Sequence, residues 1–163
     1  MDKLHTDVLR ILEADSRITA AQIAVMLKKP VKEISAAIAD LEAKGVIVKY
    51  ALVVNTEKLE REAVEALIEV KVSPQAHKGF DAIAEDILQF EEVKSLYLMS
   101  GGYDLVVFAE GRTLKEVAMF VSEKLSTIDK VLSTATHFIL KKYKSSGAVF
   151  SDPSESQRLS VHV

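Results

Sequence analysis

Ile18-Thr-Ala-Ala-Gln-Ile-Ala-Val-Met-Leu-Lys-Lys-Pro-Val-Lys-Glu-Ile-Ser-Ala-Ala-Ile-Ala-Asp-Leu-Glu-Ala-Lys-Gly-Val-Ile47 reads as two short helices around a tight turn, a shape that fits a DNA major groove. Thr19 suits the N-cap of the first helix, and Gln22 three positions on completes a capping box. Ile23, Ala24 and Leu27 then share one face. Lys28-Lys29-Pro30 makes the turn: Pro30 cannot continue the first helix but is tolerated at the start of the second. Ile34, Ile38 and Leu41 repeat at helical spacing until Gly45. A preceding stripe of Leu4, Val8, Ile11 and Leu12 supplies a third helix, and three such helices can bury one small core. The outward face, Lys32, Glu33, Ser35, Ala36, Ala39 and Asp40, is then free to meet a partner.

Composition sets the frame for this reading. The chain has 163 residues, 48% of them hydrophobic, which is enough for one generous domain or two small ones. There is no apolar run near the ~20 residues of a membrane span and no secretion signal, so a cytoplasmic location is expected. Cysteine is absent, which excludes disulfides, thiolate catalysis and sulfur-ligated zinc. Residues 1–50 carry eight Lys/Arg and seven Asp/Glu, leaving +1, while the rest carries thirteen and seventeen, leaving −4. A nearly neutral head has a weak electrostatic case for DNA, because non-specific affinity comes mostly from phosphate neutralisation.

After Gly45 the run Val46 to Val54 is rich in β-branched residues and is expected to be extended and to pair with something. The charged, aperiodic stretch 55–62 reads as a boundary. We therefore divide the sequence into a helical unit over 1–50, a linker over 51–62, a second domain over 63–150 and a polar tail over 151–163. Within the second domain, Val64, Ala66, Ile68, Val70 and Val72 alternate with Glu65, Glu69 and Lys71, as in a strand with one wet face. Helical spacing returns over His77 to Phe90, with Phe80, Ile83, Ala84, Ile87 and Leu88 inward. Val93 to Met99 and Tyr103 to Ala109 read as a hairpin turned by Gly101-Gly102. A helix follows over Leu114 to Leu125, its stripe Leu114, Val117, Ala118, Val121 and Leu125, and Val131 to Leu140 is a last strand. The order β-α-β-β-α-β favours a ferredoxin-like antiparallel sheet with two helices on one face. The fold class is thus α+β.

The candidate contacts for DNA are Lys28, Lys29, Lys32 and Ser35. Lys29 and Lys32 flank a helix N-terminus, where backbone N–H groups and the macrodipole already attract phosphate. Arg, Asn and Gln, the usual bidentate base readers, do not occur in residues 31–44. A solvated helix that meets a protein partner is the alternative. Gly101-Gly102-Tyr103-Asp104 offers open backbone N–H groups for a carboxylate and Asp104 for an ammonium; tight-turn chemistry with Asp104 as a cap is the competing reading. The histidines at 5, 77, 137 and 162 have neither metal-ligand spacing nor triad order; His137 reads as packed or interfacial and the others as surface or loop residues. No catalytic constellation, metal site or cofactor motif is present, so no enzyme activity is expected. The enzyme alternative, a small ferredoxin-like catalyst of amino-acid metabolism, lacks a nucleophile.

Three stretches in order, Leu4 to Thr19, Leu41-Glu-Ala-Lys-Gly-Val-Ile47 and Gly101-Gly-Tyr-Asp104, make the chain resemble the Lrp/AsnC, or feast/famine, transcription regulators over nearly its whole length. The resemblance implies a winged-type helix-turn-helix domain that binds double-stranded DNA, a linker strand, and a ferredoxin-like domain that dimerises through its sheet and assembles further, often to octamers. It implies an effector, typically an amino acid, held near the glycine loop by Gly101, Tyr103 and Asp104, with Gly102 at the variable place and Thr134 and Thr136 contributed by the last strand. The departure lies at Ala36, Ala37, Ala39 and Asp40, where family members commonly carry arginines. Several weak heads on one assembly could compensate through effective concentration.

Overall fold

A computed structural model describes residues 1–59, 63–73 and 79–150. The chain separates into two compact units, Met1–Leu52 and Val53–Val163. Local chemistry sets the first. Helix α1 (Lys3–Ala14) is capped by the Asp2 carboxylate on the His5 amide. Helix α2 (Ala20–Leu27) begins at the expected capping box, with Gln22 N–H donating to Thr19 and Thr19 N–H donating to the Gln22 side chain. Helix α3 (Val31–Ala43) starts behind Pro30 and ends in a Schellman motif: Gly45 takes φ +66°, and the Val46 and Gly45 amides close on the Leu41 and Glu42 carbonyls. Val8, Leu12, Ile23, Ala24, Ile34, Ala37 and Leu41 form the buried core, with Leu4, Ile11, Ile18, Leu27, Ile38 and Ile47 packed around it.

The segment after α3 departs from expectation. Residues 48–55 form no β-ladder, and Val48 and Leu52 are 86% and 83% exposed. β-Branched composition favours an extended backbone, but a strand needs a neighbour, and the described residues provide none.

In the second unit β1 (Val64–Val72), α4 (Asp81–Leu88), β2 (Val93–Leu98), β3 (Leu105–Gly111), α5 (Leu114–Met119) and β4 (Val131–Phe138) follow in the expected order. The sheet runs β2-β3-β1-β4, antiparallel throughout. Ala66, Ile68, Val70 and Val72 of β1 and Leu105, Val107 and Ala109 of β3 meet Ile83, Ile87, Val117, Phe120 and Leu125 in one core. The helical stripes shift in detail. α5 passes into a π-helical turn over Phe120–Lys124 and a 3₁₀ turn over Leu125–Thr127. The wider turn sets Phe120 and Leu125, five residues apart, on one buried face, while Leu114 and Ala118 upstream of it are exposed. On α4, Leu88 is likewise exposed. A short hairpin, β5 (Lys144–Ser145) with β6 (Ala148–Val149), follows β4 and was not expected. The helix start at His77, that residue itself, His162 and the polar tail from Ser151 lie outside the described residues.

Candidate DNA-binding and effector sites

The helical unit places its charges unevenly. Lys28 ends α2 with φ +51°, its amide on the Ala24 and Val25 carbonyls. Lys29 Nζ donates to Glu33 Oε2 at 3.1 Å, so that lysine meets a phosphate only in competition with a carboxylate. Lys32 and Ser35 are exposed on α3 and make no such bond among the described residues. The other carboxylates of α3 are also held. Lys44 Nζ donates to Asp40 Oδ2 at 2.6 Å, and Tyr50 OH donates to Glu42 Oε1 at 3.0 Å. The Lys44 hydrogen bond keeps the Asp40 carboxyl below its ordinary range. Burial pushes the Tyr50 phenol up, and the Glu42 carboxylate adds to the rise.

His5 differs from its sequence reading. It lies on α1 with only 18% of its side chain exposed, Nδ1 at 2.7 Å from Asp2 Oδ1. Nε2 is 3.1 Å from Asp40 Oδ2 without hydrogen-bond alignment. His137 is on β4, exposed, 3.5 Å from Glu69.

At the β2–β3 hairpin the strands stop earlier than expected. Tyr103 and Asp104 belong to the loop, which runs from Met99 to Asp104 and closes by the Met99 N–H donating to the Asp104 carbonyl at 2.8 Å. Asp104 fastens this loop to β1: its amide donates to the Val70 carbonyl at 3.1 Å, and its Oδ2 accepts the Val72 N–H at 2.9 Å. No partner among the described residues takes Oδ1. Gly101 has φ +153°, on the side of the map that side-chain-bearing residues avoid, and open space surrounds the positions a Cβ would occupy at Gly101 and Gly102. Their backbone groups are therefore accessible. Tyr103 is half-buried.

Register relates this loop to the last strand. Leu105 pairs with Val70, and Val70 pairs with Thr134, so Thr134 shares a cross-sheet row with the end of the loop, two strands or roughly 10 Å away. Thr136 lies two rows further along the same face, opposite Ile68. Thr134 Oγ1 is 3.3 Å from Ser126 Oγ. Within one chain, then, the glycine loop and Asp104 are contiguous, whereas the two threonines stand apart from them. At the opposite end of the hairpin a cleft of about 500 Å³ is lined by Glu92, Glu110, Arg112, Glu116 and Lys124. Its charges are paired internally, Lys124 with Glu92 at 2.6 Å and Arg112 with Glu116 at 2.8 Å. Among the described residues no cluster of His, Asp and Glu could hold a metal ion.

Residues 1–48 match the model of a winged helix-turn-helix DNA-binding domain, and residues 65–149 match that of the Lrp/AsnC ligand binding domain. The chain belongs to the Lrp/AsnC family. It is 47% identical over 158 residues to the HTH-type transcriptional regulator YugG of Bacillus subtilis, covering 96% of this chain and 95% of the relative. In fold it resembles Escherichia coli AsnC, with a TM-score of 0.69 at 20% identity over 89% of this chain and 95% of that one. It also resembles a Neisseria meningitidis transcriptional regulator solved as its L-Met complex, with a TM-score of 0.71 at 21% identity over 96% and 99%.

As an Lrp/AsnC protein the chain is a DNA-binding transcriptional regulator with a ligand-binding domain, not an enzyme. No helix among its described residues is long and apolar enough to cross a membrane.

Proposed function

We propose that this Lrp/AsnC regulator is a cytoplasmic, sequence-specific DNA-binding protein whose effector is an α-amino acid held at the Gly101–Asp104 loop, and that it acts as a homodimer able to assemble to octamers. The observation that carries the effector reading is the state of Asp104: one carboxylate oxygen anchors the loop to Val72 while the other has no partner among the described residues, beside two glycines with open backbone. An amino acid needs an acceptor for its ammonium and donors for its carboxylate, and this loop offers both within a few residues. The Neisseria relative, solved with L-Met, supports that ligand class. Thr134 and Thr136 enter the same reading as contributions from a second copy, since in their own chain they stand two strands from the loop. Lys28, Lys32 and Ser35 are the contacts to DNA, with Lys29 available when it leaves Glu33.

Calorimetric titration of the full chain with each of the twenty amino acids, followed by electrophoretic shift of genomic fragments with and without the binder, tests this. Heat from at least one amino acid and a shift that the same compound alters are expected. A head that shifts no DNA at low salt would favour the alternative, a ligand-sensing module whose helices meet protein.

A further inference from the structure

The helix-turn-helix match sets DNA as the ligand of the first unit; the surface of α3 indicates what it reads there. Opposite the buried line Ile34, Ala37 and Leu41 stands the exposed line Lys32, Ala36, Ala39 and Ala43, at positions i, i+4, i+7 and i+11, with Ser35 beside it. A groove that α3 enters with its core side turned away meets this line. Its hydrogen-bonding capacity is small for a reason visible in the structure: each carboxylate on the helix is engaged within the unit, Glu33 by Lys29, Asp40 by Lys44 and Glu42 by Tyr50. Those pairs compete with any bond to cytosine, and residues 31–44 contain no Arg, Asn or Gln; the polar side chains on or beside this line that can address a base edge are Lys32 and Ser35, at its N-terminal end. What remains at the centre of the line is two methyl groups.

We infer that Ala36 and Ala39 are specificity-determining residues, which read the C5-methyl groups of thymine by apolar contact while Lys32 and its neighbours hold phosphates. Thymine is the base that presents a methyl to the major groove, and alanine is a side chain that meets it without an unsatisfied polar atom. Small side chains also let the helix backbone approach the groove floor closely. The inference rests on the DNA-binding reading above and adds the chemistry that discriminates one site from another.

The test uses the full chain. A duplex enriched by binding from a random-sequence pool is rebuilt with deoxyuridine replacing thymidine at one position at a time, which removes only the methyl. At two or more positions affinity is expected to fall about three- to fourfold per methyl, the amount one buried CH₂ contributes. 5-Methylcytosine at those positions in a C·G pair is expected to bind more tightly than cytosine. Ala36→Arg, an exposed change compatible with folding, is expected to move the enriched sequence toward guanine at one position. Tight binding that is indifferent to every deoxyuridine, or an unchanged preference in A36R, would overturn the inference and leave the DNA-binding reading standing. Failure to enrich any duplex at low salt would overturn both.

Discussion

The Asp104 carboxylate accepts the Val72 amide at 2.9 Å, so the loop proposed to hold the effector is tied to the end of a neighbouring strand by the side chain proposed to hold the ligand. The two roles make separable demands. Bracing needs an oxygen; an ammonium ligand calls for a charge. Asp104→Asn keeps the oxygen and should leave stability within about 1 kcal/mol, while weakening effector binding about ten- to a hundredfold. Asp104→Ala should in addition cost about 1–3 kcal/mol through the unpaired Val72 N–H. Urea unfolding and calorimetry on both variants check this. Effector affinity preserved in D104N would assign Asp104 to bracing alone.

The Lys29–Glu33 pair, 3.1 Å apart and about half exposed on both sides, gives the DNA surface a built-in competitor. Glu33→Ala should therefore tighten DNA binding and steepen its salt dependence as Lys29 turns to phosphate. Lys32→Ala should weaken binding to all sequences and flatten the slope of log K against log salt by about 0.9 per contact. Fluorescence anisotropy at several salt concentrations reads both, and a slope unchanged in K32A would show that this end of α3 faces elsewhere.

Lys28 occupies a left-handed conformation, φ +51°, that glycine adopts without strain. Lys28→Gly is expected to stabilise the helical unit by about 0.5–1 kcal/mol and yet weaken DNA binding, opposite signs that a purely structural role would not produce. Thermal unfolding and anisotropy of the same variant provide the comparison.

Acid should weaken α1 at its cap. Hydrogen bonds from the His5 backbone and ring hold Asp2 below the ordinary carboxylate range, so its contribution is present at neutral pH and is lost as pH falls through the lowered folded value. Asp2→Asn retains a good cap but does not titrate, so its stability at pH 7 should match that of the parent while the loss below about pH 4 becomes smaller. Circular dichroism across pH 2–7 distinguishes the two; equal acid sensitivity would remove Asp2 from the account.

The outer face of the sheet carries Leu67, Val106, Phe108 and Tyr97, the last two in edge-to-face contact at 6.2 Å, with Tyr97 half exposed. Burial by a second copy should make the chain a dimer or larger at micromolar concentration, and Tyr97→Glu should release monomers. Light scattering on both proteins decides it, with a monomeric parent as the contrary result.

The parts of this protein legible in its sequence are those fixed by near neighbours along the chain. Thr19 and Gln22 satisfy one another three residues apart, and the alternation from Val64 to Val72 needs only the pleat to become a buried face. What could not be read depends on distant partners. Val46 to Val54 has strand composition and, among the described residues, no strand beside it. The π turn after Met119 brings Phe120 and Leu125, five residues apart, onto one buried face, a spacing that the regular helical period does not give. That Asp104 is fastened to Val72 follows from the β1–β3 register, thirty-two residues away in sequence. Ser146-Gly147 is a local turn signal as well, and at φ +47° and +80° it turns β5 into β6.

Residues 1–52 enclose their core, Val8, Leu12, Ile23, Ala24, Ile34, Ala37 and Leu41, without a large aromatic side chain. A unit of about 50 residues built this way buries a smaller share of its surface than a larger domain does and sits near the folding threshold. Its folded population is then part of every affinity measured on it. Where some heads are open, the dissociation constant for DNA is the intrinsic value divided by the folded fraction. By mass action the bound duplex raises the melting temperature of the unit that holds it, and the operator becomes a folding ligand for its own reader.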